Sequence, residues 1–468
     1  MLSDTIVAPA SPLIPSPIHI IRLSGSKVLE ILYKLTQKDF SSKEPRKSYL
    51  VRIYGENGEE LDEGLVVFFK APHSYTGEDM AEIFIHGNPI LTDYIVKLCI
   101  SYGARYAKEG EFTKRAFLNG KITLEKSEAI NSLIRASTLE GVRRSFRVLK
   151  GEFEKLMSEL REEILDVVSQ VEASIDFPED VDYELTYEEI MGRVSQLYQK
   201  IYGIISEWKK TKTLIYGAKC VIVGKPNVGK SMLFNSIIGY SRAIVSPIPG
   251  TTRDFIDSDI DIGGAIVKIV DTAGVRKSYD PIEKEGIERT LQIVDSADIL
   301  ICVFDSSEKE PQQDDEEILK IIKAEQDKKV IIAINKIDIG DADFWINLLR
   351  KKIEEISEKN IDQNQISIIP VSAKEKIGID AIKEEILKFF FQGASYSEGV
   401  SVITSRQKAI AEEILQNVLT AKNFMMQSDY LGTAYSLRNA IKKIDEMLGK
   451  ESSQEIIDRI FSTFCIGK

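Results

Sequence analysis

The stretch GKPNVGKS at residues 224–231 constrains the fold of this chain more than any other part of its sequence. It matches the pattern G-x-x-x-x-G-K-S, follows an apolar run typical of a β-strand and opens a segment with a helical pattern. In that context Gly229 lets the backbone wrap around phosphate groups, Lys230 reaches the β- and γ-phosphate oxygens, and the Ser231 hydroxyl ligates Mg²⁺. The stretch therefore predicts a phosphate-binding loop between a strand and a helix.

Two later motifs predict that the bound nucleotide carries guanine. AINKID ends a strand-like run, and the Asp338 carboxylate can accept hydrogen bonds from N1–H and N2–H₂ of guanine, a donor pair that adenine lacks. VSAK supplies Ser372 and Ala373, whose backbone can meet the guanine O6 atom. In this order the motifs resemble those of the translation-factor class of GTPases.

Motifs between these sequences predict how the γ-phosphate and magnesium are held. IVDTAG places Asp271 at a strand end, where its carboxylate can hold the magnesium shell, and Gly274 offers a backbone N–H to the γ-phosphate. PGTTRD supplies Thr251 or Thr252 to close on Mg²⁺ when the γ-phosphate is present. The predicted nucleotide-binding residues are Asn227, Val228, Gly229, Lys230, Ser231, Thr251, Thr252, Asp271, Thr272, Ala273, Gly274, Asn335, Lys336, Asp338, Ser372 and Ala373.

The residue after DTAG is Val275, whose apolar side chain cannot orient an attacking water as a glutamine does in Ras-like proteins. Hydrolysis therefore requires another group. Glu283 and Glu285 lie on the segment that the γ-phosphate is expected to order. Each also fits the simpler interpretation of an acid on an exposed helix surface.

The pattern along the chain predicts several domains. Residues 1–118 mix short strand-like runs with Pro/Gly turns, typical of an α+β domain, and residues 119–213 have a helical pattern. Residues 214–391 alternate apolar strand-like runs with helical segments, which indicates a parallel sheet wrapped by helices. Residues 392–468 are helical again. We therefore expect an α/β domain inserted between two halves of one helical domain.

Composition excludes several classes of protein. With 43% hydrophobic and 29% charged residues, the chain of 468 residues resembles an ordinary globular protein. It has no apolar run long enough to cross a bilayer and no signal-peptide pattern at its start. Its four cysteines are scattered and it has only three histidines, so a disulfide framework or structural zinc site is not expected. These features predict a cytoplasmic protein without a membrane partner.

The charge distribution is uneven. The net charge of −12 argues against a protein that simply coats nucleic acid. Residues 101–150 nevertheless carry eleven Lys/Arg and five Asp/Glu, whereas residues 151–190 carry two and fourteen. The basic segment is compatible with the approach of a polyanion, although solvated helix faces explain it as well.

Taken together, the motifs resemble the tRNA-modification GTPase family called MnmE or TrmE, over nearly the whole chain. Each short block alone is a weak signal, and their order makes the resemblance specific. The blocks are DTIVA, IRLSG, SYTGED, EGEFTKRAFLNGK, IDFPED, GKPNVGKS, PGTTRD, DTAG, GIER, NKID and the final FCIGK.

The resemblance implies a multidomain α/β and α fold. An N-terminal folate-binding domain like that of the glycine-cleavage T protein would precede a helical domain interrupted by a Ras-like P-loop GTPase domain. The N-terminal domains would form a homodimer, and the GTPase domains would meet on GTP binding, with K⁺ in place of an arginine finger. Glu283 would orient water, Ser231 and Thr252 would ligate Mg²⁺, and K⁺ would be held by Asn227, Ser246, Ile248 and Thr251.

The resemblance also implies the reaction and its cofactors. The family forms a carboxymethylaminomethyl-type group at C5 of the wobble uridine of certain tRNAs, with an FAD-dependent partner called MnmG (GidA). The one-carbon carrier would be 5-formyl- or methylene-tetrahydrofolate, held by Arg22, Glu82, Lys121 and Lys468. This chain departs from the family pattern near that site, because SPLIPSPIHI replaces a glycine-rich stretch and HGN replaces HGG.

The cysteine of FCIGK, Cys465, admits three interpretations: a lipidation site, a metal ligand or a thiol presented to a substrate. Lys468 lies outside the usual last residues of a prenylation motif, and no polybasic signal precedes it. Metal binding lacks nearby Cys or His ligands. The family resemblance places Cys465 beside the folate, facing the uridine, as a catalytic candidate whose role as nucleophile, acid or structural group stays open.

Two other functions share some of these motifs. A ribosome-assembly GTPase of the Era or double-GTPase type predicts a KH-like RNA-binding domain or a second P-loop, and we find neither in the sequence. A membrane-tethered signalling GTPase requires Cys465 as a prenyl acceptor.

Overall fold

The computed structural model describes residues 4–176, 187–239, 257–271, 293–325, 328–356, 365–391, 402–450 and 454–468. The chain forms two compact units. Unit 1 comprises Met1–Ile134, Arg144–Trp208 and Val400–Lys468, and unit 2 comprises Arg135–Arg143 and Lys209–Gly399.

Strands and helices are mixed over residues 5–118 and again over residues 218–391, and the other elements are helices. In chain order they are β1 (Thr5–Pro9), β2 (Ser16–Ser24), α1 (Val28–Thr36), β3 (Ser48–Tyr54), β4 (Glu60–Phe69), β5 (Met80–Gly87), α2 (Pro89–Ser101), β6 (Ala104–Tyr106), α3 (Glu111–Leu118), α4 (Leu124–Arg135), α5 (Leu139–Leu149), α6 (Glu152–Asp176), α7 (Tyr187–Ser206), α8 (Trp208–Tyr216), β7 (Ala218–Gly224), α9 (Lys230–Ile238), β8 (Asp257–Ile262), β9 (Ala265–Asp271), β10 (Ile299–Asp305), α10 (Gln313–Ala324), β11 (Lys329–Asn335), α11 (Ala342–Ile356), β12 (Ile366–Pro370), α12 (Ile379–Phe391), α13 (Ser405–Met426), α14 (Tyr430–Met447) and α15 (Gln454–Phe461).

Unit 1 contains a six-stranded sheet with the order β3-β4-β5-β2-β1-β6. Neighbouring strands run antiparallel except β1 and β6, which are parallel. Alternate apolar side chains, such as Ile21 and Leu23 on β2, are fully buried beneath helices α1 and α2. This alternation leaves the other face of β2, which carries Arg22, available for a site.

The helical part of unit 1 is built from α6, α7, α13 and α14, which pack against one another. On α13, Ile410, Ile414 and Val418 form the buried stripe that helical spacing requires. Helix α15 follows α14 and leads into the tail segment, residues 464–468, which returns to the sheet of unit 1.

Unit 2 contains the second six-stranded sheet, with the order β12-β11-β10-β7-β9-β8. All its neighbouring strands are parallel except β8 and β9. The central strands β10 and β11 are buried at every position, because helices cover both faces of the sheet. The carboxyl ends of β7, β10, β11 and β12 meet at one edge, where ligands bind in sheets of this kind.

The edge strand β8 was not among the predicted elements. It pairs with β9 through a tight turn at Gly263 and Gly264, whose φ angles are +56° and +87°. Glycine adopts this left-handed backbone without steric cost. In the described part of the chain, no helix is long and apolar enough to cross a membrane.

Candidate functional site

The phosphate-binding loop lies between β7 and α9, as the sequence predicts. Gly229 caps α9 with a left-handed φ of +98°, and Asn227 has a φ of +64°. A Cβ atom at Gly229 would lie 2.3 Å from Nδ2 of Asn335. Glycine is therefore required both by the backbone conformation and by the close approach of Asn335.

The Lys230 ammonium is held by the loop itself. The residue is buried, and its Nζ donates to the carbonyl oxygens of Gly224 at 2.8 Å and Lys225 at 2.6 Å. Ser231 and Asn227 are exposed at the same loop and helix start. Helix N–H groups, an ammonium and a hydroxyl at one point suit a phosphate with its magnesium ion.

Asn335 connects the phosphate-binding loop with the predicted base-recognition loop. Its Nδ2 donates to the Val228 carbonyl at 2.7 Å, and its Oδ1 accepts from the Ala373 N–H at 3.0 Å. The side chain is buried, so both contacts are protected from water. The side-chain amide of Asn335 thus links Val228 and Ala373, which are also predicted nucleotide-binding residues.

Asp338 and Ser372, which the sequence predicts to meet the base, contact each other directly. The Ser372 hydroxyl donates to Asp338 Oδ1 at 2.7 Å, and this hydrogen bond lowers the pKa of the Asp338 carboxyl. Ser372 is in turn fixed by two backbone hydrogen bonds of 3.0 Å with Ile377. An exposed, ionised carboxylate held in one orientation is suited to the N1–H and N2–H₂ donors of guanine.

Asp305, which the sequence analysis did not identify, positions Lys336. The Lys336 backbone has a φ of +65°, and its Nζ lies 2.5 Å from Oδ2 of Asp305, at the end of β10. Burial alone would raise the pKa of Asp305, but Lys336 and Ser307 lower it. Its position at the carboxyl end of a buried strand, where ligands bind in sheets of this kind, could have identified Asp305 as a site residue.

Part of the predicted nucleotide site lies outside the described residues. This applies to Ser246, Ile248, Thr251, Thr252, Thr272, Ala273, Gly274 and Glu283. Asp271 ends β9, where its backbone pairs with Ile222 of β7.

The second site lies in unit 1, where Arg22 holds the tail segment. Its Nε and one terminal nitrogen donate to Glu82 Oε1 at 3.0 and 2.7 Å, and its other terminal nitrogen donates to the Gly467 carbonyl at 2.8 Å. The guanidinium also lies over the rings of Tyr75 and Phe112, at 5.9 and 5.7 Å. The structure therefore brings together Arg22, Glu82 and the tail segment.

Backbone contacts fix the path of the tail segment. The N–H groups of Gly110 and Phe112, at the start of α3, donate to the carbonyls of Cys465 at 3.4 Å and Lys468 at 3.2 Å. Gly467 has a φ of +89°, and a Cβ atom there would lie 2.2 Å from the Pro9 carbonyl oxygen. The tail segment thus has one defined position on unit 1.

This position leaves the Cys465 thiol exposed. The other cysteines are buried, and burial raises the pKa of Cys99 and Cys302 to about 12 and also raises that of Cys220. Cys465 is therefore the one cysteine of the four that a substrate can reach. Nearby, burial and then the Arg22 charge lower the pKa of the Lys468 ammonium, against the opposite effect of Glu82.

Lys121 is placed differently from the other predicted folate residues. Its Nζ donates to the Pro72 carbonyl at 2.9 Å, in the loop that also carries Tyr75. Asn88, the residue that makes HGN differ from HGG, is the N-cap of α2, and its Oδ1 accepts from the N–H groups of Ile90 and Leu91. That departure has a local structural reason, because an asparagine cap stabilises the helix start.

A strand, phosphate-binding loop and helix, joined by Asn335 to an Asp338–Ser372 base pocket, define a P-loop GTPase. Family models match the chain as "MnmE helical domain" over residues 124–465 and "GTP-binding protein TrmE N-terminus" over residues 5–121. The chain belongs to the tRNA modification GTPase MnmE family, as its motifs predicted.

Curated relatives match over their whole length. The tRNA modification GTPase MnmE of Aquifex aeolicus is 38% identical over 100% of both chains, and that of Aliarcobacter butzleri is 37% identical over 100% of this chain and 99% of its own. A solved structure of Era from Aquifex aeolicus, bound to GDP and AlF₄⁻, is 28% identical and covers 43% of this chain and 67% of its own, with a TM-score of 0.28.

Proposed function

We propose that this protein hydrolyses GTP and, with an FAD-dependent partner of the MnmG type, installs a carboxymethylaminomethyl-type group at C5 of the wobble uridine of certain tRNAs. The observation that carries this proposal is the exposed Cys465 thiol, whose backbone is anchored on the sheet of unit 1 by Arg22 and α3. The names of the full-length relatives, which are tRNA modification GTPases, support the substrate class.

For GTP binding, we propose that Lys230, held in place by its two loop carbonyls, also donates to β- and γ-phosphate oxygens. Asp338 recognises guanine, and Asn335 keeps the base pocket and the phosphate-binding loop at a fixed separation. Mg²⁺, held by Ser231 and Thr252, neutralises charge on the phosphate oxygens when it is bound. The remaining predicted nucleotide contacts are Asn227, Val228, Gly229, Thr251, Asp271, Thr272, Ala273, Gly274, Lys336, Ser372 and Ala373.

For hydrolysis, we propose that Glu283 orients the attacking water, because Val275 cannot do so. K⁺, held by Asn227, Ser246, Ile248 and Thr251, supplies the positive charge that an arginine finger supplies in other GTPases. The exposed amide of Asn227 at the phosphate-binding loop fits this role, since amide oxygens are suitable ligands for such a cation.

For the modification step, we propose that Arg22, Glu82, Lys121 and Lys468 hold 5-formyl- or methylene-tetrahydrofolate near Cys465. The Arg22–Glu82 pair and the half-buried Lys468 offer charges of both signs, which suit a pterin ring with a carboxylate tail. The tetrahydrofolate supplies the one-carbon unit when it is bound.

The proposed assembly contains a homodimer, formed by the N-terminal domains, together with the MnmG-type partner and tRNA. The proposed domains are residues 1–118, 119–213, 214–391 and 392–468. The basic segment 101–150 is compatible with the approach of tRNA.

Potassium dependence of GTP turnover tests the hydrolysis mechanism. In KCl we expect turnover to be roughly tenfold faster, or more, than in NaCl at equal ionic strength, because K⁺ replaces a charge that accelerates this reaction strongly. The variant N227A should lose the preference for K⁺ while still binding GDP through Lys230 and Asp338. Equal rates of the unchanged protein in the two salts would contradict the potassium mechanism.

Mass spectrometry of wobble uridines tests the modification. A strain that lacks this protein should lose the modified uridine, and the unchanged gene should restore it. C465S should not restore it, although GTP turnover stays normal, and G467A should be similarly defective because its Cβ would collide with Pro9. S462A, a change at an exposed residue of the same tail region, is the control. Full modification in the C465S strain would exclude a chemical role for the thiol.

A further inference from the structure

Lys225 occupies the second position of the phosphate-binding motif, which the motif leaves open to any residue. Its side chain points away from the loop and is buried in unit 2. The ammonium contacts Oδ2 of Asp315 at 2.8 Å and the carboxylate of Glu308. Burial alone would lower the pKa of Lys225, but these two carboxylates raise it.

Asp315 is held rigidly where Lys225 meets it. It lies in the first turn of α10, is fully buried, and accepts from the Gln312 N–H at 2.9 Å as part of a capping box. Its Oδ1 is buried without a hydrogen-bond partner among the described residues. Lys225 is therefore the cation that compensates a carboxylate which the helix cap keeps buried.

Glu308 is fixed from another side. Its backbone carbonyl accepts from Nε1 of Trp345 at 2.9 Å, and Trp345 is a fully buried residue of α11. The Lys225 ammonium thus joins the phosphate-binding loop to α10 and to the segment between β10 and α10, neither of which contains a predicted nucleotide-binding residue.

The backbone of Lys225 meets the phosphate-binding lysine. Its carbonyl oxygen accepts from Lys230 Nζ at 2.6 Å, close to the second acceptor, Gly224. The side chain of Lys225 is thus anchored in the core while its carbonyl sets the place of the ammonium that receives phosphate.

We infer that Lys225 is a positioning residue of the GTPase, which acts through Lys230 and holds the phosphate-binding loop in its binding conformation by anchoring it to Asp315 and Glu308. A loop that is already ordered loses less conformational entropy when the nucleotide binds. Loss of the anchor weakens phosphate binding and leaves guanine recognition by Asp338 unchanged.

The test is the affinity of the full-length variant K225M for GDP, together with KM and kcat for GTP. We expect the Kd for GDP to rise roughly tenfold, the order of magnitude for one charged hydrogen-bond network. The ratio of the Kd for IDP to that for GDP should stay constant, because inosine differs from guanosine only at the base. K225R should restore most of the affinity, since arginine can still reach both carboxylates.

The matched control is K328M. Lys328 is as buried as Lys225, but its ammonium donates to the carbonyls of Val294 and Asp295 and pairs with Glu325. If Lys225, like Lys328, only stabilised the fold, K225M and K328M would both lower thermal stability, and neither would change the Kd for GDP. That outcome, or a change in the ratio of IDP to GDP affinity in K225M, would overturn the inference.

If K225M does not fold, the variant D315N tests the same inference. D315N keeps an oxygen for the Gln312 N–H and removes the charge that attracts Lys225. It should raise the Kd for GDP in the same direction, by a smaller factor, with the same constant base ratio. An unchanged Kd in D315N would equally contradict the inference.

Discussion

At the scale of single residues, the base pocket shows how a short contact prepares a side chain for its ligand. The Ser372 hydroxyl occupies one oxygen of Asp338 and lowers the pKa of its carboxyl, so the group is ionised at neutral pH. Because Asp338 is exposed, its carboxylate can also accept hydrogen bonds from solvent or from a ligand. In the proposed function, recognition of guanine depends on the acceptor character of this side chain.

Replacement of that carboxylate should change the base that is bound. In D338N the amide offers a donor, so we expect the Kd for GDP to rise roughly 10- to 100-fold and that for XDP, which has an acceptor at C2, to fall. Nucleotide titrations of the full chain measure both constants. D343N, at an exposed acid on α11, should change neither. An unaltered preference for GDP in D338N would contradict the assignment.

Residue spacing predicted much of this site but not how its parts are joined. Gly229, Lys230 and Asp338 were assigned because phosphate and guanine require particular groups next to a glycine loop or a strand end. The links through Asn335 and Asp305 join residues that are far apart in sequence, and only the folded sheet brings them together. Likewise, the family resemblance predicted a ligand for Arg22, whereas its contact with Gly467 depends on the tertiary structure.

At the scale of elements, Glu385 ties three parts of unit 2 together. From α12 it pairs with Lys329 of β11 at 2.7 Å and Lys388 at 2.6 Å, and accepts from Ser367 of β12 at 2.6 Å. Burial would raise the pKa of this carboxyl, but the two ammonium groups and the hydroxyl lower it to about 2. The pairing thus ties α12 to the amino-terminal ends of β11 and β12, at the opposite end of these strands from Asp338 and Ser372.

This pairing predicts a pH dependence of stability. Because the pKa is lower in the folded state, the stabilisation is complete above pH about 4.5 and is lost as the pH falls towards about 2. E385Q should therefore lower the free energy of unfolding by about 1 kcal/mol at neutral pH and show a weaker loss in acid. Urea unfolding at several pH values measures this, with E384Q at the adjacent exposed acid as the control. Parallel pH profiles for E385Q and the unchanged chain would refute the prediction.

In unit 2, the sequence predicted the strands that are covered on both faces and missed the edge strand β8. The apolar runs that form β7, β9, β10, β11 and β12 are recognisable because both faces of these strands are covered. Strand β8 reads DSDIDI, with only alternate residues apolar, and it pairs at one edge of the sheet. Its clearest signal was the Gly263–Gly264 pair that turns the chain back into β9.

At the scale of the whole molecule, the two units have separate cores, and we expect the nucleotide to stabilise them unequally. GDP at 100 times its Kd adds about 2.7 kcal/mol to a unit that binds it only when folded. Amide hydrogen exchange should therefore slow by roughly 100-fold in the most protected amides of β10 and β11 and stay unchanged in β2 and β5. Equal slowing in all four strands would show that the units unfold together.

The contact between Arg22 and Gly467 joins residues 445 positions apart, and this separation governs when the site near Cys465 is completed during biosynthesis. The sheet of unit 1 leaves the ribosome early, but the tail segment follows only after about 20 to 90 seconds at ordinary elongation rates. A chain whose translation stops before residue 465 contains all of unit 2, yet it lacks the thiol that the complete tail segment places on the first sheet. We therefore expect a chain that ends before residue 465 to take no part in the proposed RNA modification.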